Sequence, residues 1–156
     1  MALVRILVDG SSLLQSWPEL APGKPRHSAA AKWEIVTQLT RYYDACGTPL
    51  TVVFDAPTLA DQDESPDSTA EVEVLYTPPG QKREQVLKRA AHRFRACGQV
   101  LIVTGQTHDP GNEAANGHLV SDCGSFVRTV QTALRDLENA ISSINRKEND
   151  RFNQGR

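Results

Sequence analysis

Arg5-Ile6-Leu7-Val8-Asp9-Gly10-Ser11-Ser12-Leu13-Leu14 is a short apolar run that stops abruptly at a carboxylate and a glycine. From Ala2 to Val8 it is rich in branched residues and almost free of polar interruption. That composition suits a strand buried on both faces of a parallel sheet. An acid at the carboxyl end of such a strand lies where open α/β sheets bind their ligands. The same acid can equally cap a short helical turn over Ser11 to Leu14. Asp9 alone leaves both readings open.

Downstream, residues 15–27 hold Pro18, Pro22, Gly23 and Pro25, which exclude a continuous helix and predict a surface loop. Ser28 then offers an N-cap, and Ile35, Val36, Leu39, Tyr42, Tyr43 and Cys46 recur at helical spacing until Gly47 ends the pattern. Trp33 extends that apolar face. Leu50-Thr51-Val52-Val53-Phe54-Asp55 is a second branched run that finishes in an acid. Residues 57–69 mix proline, serine and acidic groups, as exposed loops do. Glu71-Val72-Glu73-Val74-Leu75-Tyr76 alternates over its first four residues, the pattern of an edge strand with one solvated face, and Thr77-Pro78-Pro79-Gly80 breaks it.

Between Gln81 and Cys97, the residues Leu87, Ala90, Ala91, Phe94 and Cys97 mark one helical face, while most of the basic residues fall elsewhere on the wheel. Gln99 to Thr104 is the clearest buried strand, and His118 to Ser121 follows as a short one after a turn-rich stretch. Asp122 or Ser121 caps a last helix expected to run to about Asn145. Its Val130, Leu134, Leu137, Ile141 and Ile144 keep a 4-3-4-3 spacing over about two heptads, which predicts docking within the domain.

A chain of 156 residues fits one domain, read here as residues 1–145 followed by a polar C-terminal tail, 146–156, expected to fray. With 39% hydrophobic and 23% charged residues, wholesale disorder is excluded. No apolar run approaches the ~20 residues that cross a bilayer, and the start lacks signal-peptide features, so the expected location is cytoplasmic. Cys46, Cys97 and Cys123 are far apart and odd in number, which offers neither a disulfide framework nor a zinc spacing; they are expected to be small core hydrophobes. The net charge of −2 conceals segregation. Acids crowd residues 61–73, and Lys82, Arg83, Lys88, Arg89, Arg93 and Arg95 crowd the next helix.

The element order implies an α/β fold with a mostly parallel sheet and helices on its faces. Parallel strands expose their carboxyl ends along one edge, so Asp9 and Asp55 converge there with the start of the cationic helix. Gathered carboxylates repel one another unless neutralised, and the usual neutraliser is a hard divalent cation such as Mg²⁺ or Mn²⁺. Such an ion can activate water for phosphodiester hydrolysis, while a neighbouring cationic helix holds a polyphosphate. Acids and bases together suggest a nuclease. No phosphate loop, dinucleotide-binding glycine turn or nucleophile elbow is present.

Ile6-Leu7-Val8-Asp9-Gly10 with Leu13-Leu14, Trp17-Pro18, Val52-Val53-Phe54-Asp55-Ala56, Val72 to Thr77 and Val100 to Thr104 resemble the YacP-like NYN family of PIN-related, metal-dependent endoribonucleases. The resemblance covers roughly residues 3–145. It implies a PIN-like three-layer α/β/α fold, a divalent-metal acidic site and an RNA substrate. Asp9 matches the family's first catalytic aspartate and Asp55 the acid after its second core strand. Where the family's helix opens with Thr-Ala-Asp after a glycine, Lys82-Arg83-Glu84 follows Gly80, and Glu84 keeps a carboxylate on a longer arm. The family's next acid is replaced by Gln106, its Asn by Ser12, and the Ser-Ala-x-Glu start of its last helix by Asp122-Cys123-Gly124-Ser125.

The expected function is an endoribonuclease, since Asp9 and Asp55 are retained, with one alternative to it. In the first, Asp9, Asp55 and Glu84 hold Mg²⁺ or Mn²⁺ as catalytic ligands of an endoribonuclease, with Ser12, Lys82, Arg83 and Arg89 engaging RNA. Gln106 lends no negative charge, which favours one ion over two; Asp109 compensates only if its loop folds back. In the second, the losses at Gln106 and Ser12 and the altered start of the last helix leave an RNA-binding adaptor or regulator with impaired catalysis.

Overall fold

A computed structural model of the chain describes residues 3–20, 22–23, 25, 28–57, 65–105 and 119–154. In chain order the elements are β1 (Leu3–Asp9), α1 (Gly10–Ser16), α2 (Ala29–Cys46), β2 (Leu50–Phe54), β3 (Val72–Tyr76), α3 (Arg83–Arg95), β4 (Gln99–Thr104), β5 (Leu119–Asp122) and α4 (Cys123–Gln154). The strands form one sheet in the order β3-β2-β1-β4-β5, and every pairing is parallel. This is the α/β class expected, with a sheet wholly rather than mostly parallel.

β1 lies at the centre because its residues are apolar on both faces. Ile6 and Val8 face one helical layer, formed by α1, α2 and α4, together with Val52, Phe54, Leu39 and Phe126. Leu7 faces the other way, with Val53, Val100 and Ile102, against Val86, Leu87, Ala90 and Ala91 of α3. The result is three layers, α/β/α. β3 sits at an edge, and its Glu73 accepts from the Thr51 hydroxyl and from Arg93, at 3.1 and 2.6 Å. Arg5 and Arg93 both stack on Phe94, 4.4 and 4.5 Å from the ring centre, and so fasten α3 over that edge.

Local signals set most boundaries. The Ser28 hydroxyl accepts from the Ala31 amide, and Gly47, at φ 75°, closes α2 in the left-handed region with its amide on the Tyr43 carbonyl. Gly10 is required by close approach: a Cβ there would stand 2.5 Å from the Phe54 ring and 2.9 Å from Val52.

Several expectations need correction. The last helix does not stop near Asn145 but continues to Gln154, because residues 146–154 contain good helix formers and neither glycine nor proline. Its apolar stripe leaves the body after Leu137, so Ile141 and Ile144 are 49% and 58% exposed. Trp33 is 46% exposed and adds little to the buried face of α2. Of the cysteines, Cys123 is buried, whereas Cys46 and Cys97 are exposed near the ends of their helices. Val86 joins the buried face of α3, unlike Cys97. Among the described residues, no helix is long and apolar enough to cross a membrane.

Candidate functional site

Asp9 ends β1 and Asp55 directly follows β2, its parallel neighbour, so the topology brings both acids to one edge of the sheet. The order β3-β2-β1-β4-β5 also makes the β1–β4 boundary the point where the chain reverses its direction of build-up, the place where open α/β sheets hold ligands. Asp9 is 5% exposed, while the Asp55 side chain is 58% exposed. One acid is therefore in the wall of the site and the other at its mouth.

Asp9 takes the capping role and adds an ion pair to it. Its Oδ1 accepts from the Ser12 amide at 3.2 Å as the N-cap of α1, and the same oxygen accepts from Arg83 Nε at 2.8 Å. Arg83, in the first turn of α3, continues across to Asp55, where Nη1 lies 2.6 and 2.7 Å from the two carboxylate oxygens. The Ser11 hydroxyl donates to Asp55 Oδ2 at 3.4 Å. Burial alone would lower the Arg83 pKa, but the hydrogen bonds and charges of Asp55 and Asp9 raise it above its ordinary value. The guanidinium is thus a fixed cation spanning two carboxylates.

The structure brings together Asp9, Asp55 and Arg83, with Ser12 half-buried beside them. It does not bring Glu84 to the acids. Glu84 points along the exposed side of α3 and pairs with Lys88 at 3.2 Å, one helical turn on. Lys82 is exposed at the start of α3, and its amide donates to Gln85 Oε1. Arg89 is exposed and donates to Gln81. Gln106 and Asp109 lie outside the described residues.

A hard divalent ion takes six or more oxygens, commonly one or two carboxylates with water and substrate oxygens. As arranged, the described residues do not fit one. Among them no group of three or more His, Cys, Asp or Glu converges to hold a metal, and Arg83 hydrogens already use Asp9 Oδ1 and both Asp55 oxygens.

Two further residues belong to this edge and escaped the sequence reading as site components. Asp122 ends β5, and its carboxylate accepts from the Ser125 amide and hydroxyl at 2.7 and 2.9 Å, which lowers its pKa. Cys123, buried behind it, is pushed up to about 12 by burial and by the negative charges of Asp9 and Asp122. The signal was present: Val120-Ser121-Asp122 repeats the strand-then-acid pattern of Val8-Asp9 and Phe54-Asp55. Arg83 is expected from the sequence to engage RNA; its place between the two acids follows from the strand order, which no local run records.

Residues 6–155 match the sequence model of the YacP-like NYN domain. The chain is 24% identical over 140 residues to the YacP protein of Bacillus subtilis strain 168, spanning 89% of this chain and 82% of that protein. Its fold is similar to the crystal structure of Rae1 (YacP) from Bacillus subtilis, with a TM-score of 0.69 and 21% identity over 96% of this chain and 85% of that one. A tryptophan-to-leucine variant of the same protein gives a TM-score of 0.75 and 22% identity over 92% and 84%.

Proposed function

The chain belongs to the YacP-like NYN domain family, and on that premise we propose that it binds RNA at the carboxyl edge of its sheet without metal-dependent cleavage. Domains of this PIN-like nuclease fold generally use divalent metals at an acidic site. The observation that carries the reading is the Arg83 bridge, which neutralises Asp9 and Asp55 from within the chain. Lys82 and Arg89, exposed on the first turns of α3, and Ser12, beside Asp9, supply the phosphate contacts. Attraction of this kind is sequence-tolerant and weakens as salt rises. A cytoplasmic RNA is the partner this reading implies.

The retention and pairing of Asp9 and Asp55 favours a second reading, an endoribonuclease in which these two and Glu84 hold Mg²⁺ or Mn²⁺. Binding and cleavage of single-stranded and structured RNA, with either ion or with chelator, tests both in the wild type and Asp9→Asn. Salt-sensitive binding that ignores chelator, with no metal-dependent cleavage, is expected. Chelator-sensitive cleavage lost in Asp9→Asn would select the nuclease instead. Absence of RNA binding at low salt would overturn both readings.

A further inference from the structure

We propose that the Asp9–Asp55 pair is a latent divalent-cation site that the protein fills with its own guanidinium, so that Arg83 decides whether a metal ion binds. The inference deepens the RNA-site reading above by naming what controls its acid pair. Its support is geometric.

Two acids at neighbouring strand ends repel each other unless a cation lies between them. Arg83 Nε and Nη1 reach both at 2.6 to 2.8 Å, short distances typical of charge-assisted bonds. A small hard divalent ion such as Mg²⁺ needs its oxygens at about 2.0 to 2.1 Å, within the same space. Guanidinium and ion therefore exclude each other.

The competition favours the arginine in the native chain, because the group is tethered by α3 and gives up little freedom on docking. It also leaves only one negative charge in excess on the pair. Without it, the two carboxylates and solvent water make up the oxygen set that a hard divalent ion commonly uses. Asp9 Oδ2 would remain available even while Oδ1 caps α1.

Manganese binding measured by titration calorimetry and by the loss of free-ion paramagnetic signal tests this without reference to cleavage. The proteins are the wild type, Arg83→Ala, Arg83→Gln and the double variant Arg83→Ala with Asp9→Asn. Arg83→Ala and Arg83→Gln are expected to bind one ion at least about tenfold more tightly than the wild type. Manganese should also raise their melting temperatures but not that of the wild type. The double variant should lose the gain. Equal binding by wild type and Arg83→Ala would overturn the proposal, as would no binding by either single variant while both remain folded. RNA binding by the wild type is scored separately, so that its failure removes the RNA reading and leaves the manganese result standing.

Discussion

At Asp9 a single carboxylate oxygen serves a helix cap and an ion pair, and the two roles separate by substitution. Asn caps nearly as well as Asp but brings no charge to Arg83. Asp9→Asn should therefore keep α1 and lose about 1 to 3 kcal/mol from the charged hydrogen bond, read by chemical denaturation. Asp9→Ala should lose more. Cys123 gives a second test. Its thiol stays protonated in the fold well above the ordinary thiol value, because burial and the charges of Asp9 and Asp122 disfavour the thiolate. A raised folded pKa contributes stability fully below about pH 9, and that contribution is lost as pH climbs toward about 12. Denaturation at pH 8 and pH 10 should show a smaller loss for Cys123→Ala than for the wild type. A thiol reagent at pH 8 should modify the exposed Cys46 and Cys97 in the native protein and Cys123 only after unfolding.

At the scale of elements, the helix and strand limits follow from signals a few residues long. Ser28 and Gly47 bracket α2, and the unbroken apolar run Val100 to Val103 marks β4, so both were legible in the sequence. The far half of α4 was not, because periodicity says which face is apolar and nothing about what lies opposite. Strands of 4 to 7 residues span at most about 24 Å, while the 32 residues of α4 extend about 48 Å. The helix outruns its sheet, and Ile141 and Ile144 fall on the overhang. Ending the chain at Ala140 should therefore change stability by less than about 1 kcal/mol. Gly10→Ala should instead cost about 1 to 3 kcal/mol, since its methyl meets the Phe54 ring and Val52.

For the whole molecule, parallel pairing turns scattered acids into one edge, and that much could be argued from two strands each ending in Asp. The strand order that sets β1 in the centre, and so lets α3 present Arg83 to both acids, depends on packing of both faces of β1 and is not written in any local run. RNA affinity should fall steeply with salt, and Lys82→Ala or Arg89→Ala should each reduce the logarithmic salt slope by about 0.7 if it contacts one phosphate of a single strand. Arg83 sits between Asp9 and Asp55 in the native chain. Anomalous diffraction from a wild-type crystal soaked in Mn²⁺ reads this directly: no peak is expected between the acids, with Arg83 still bonded to both, whereas a manganese peak there with Arg83 turned away would overturn it.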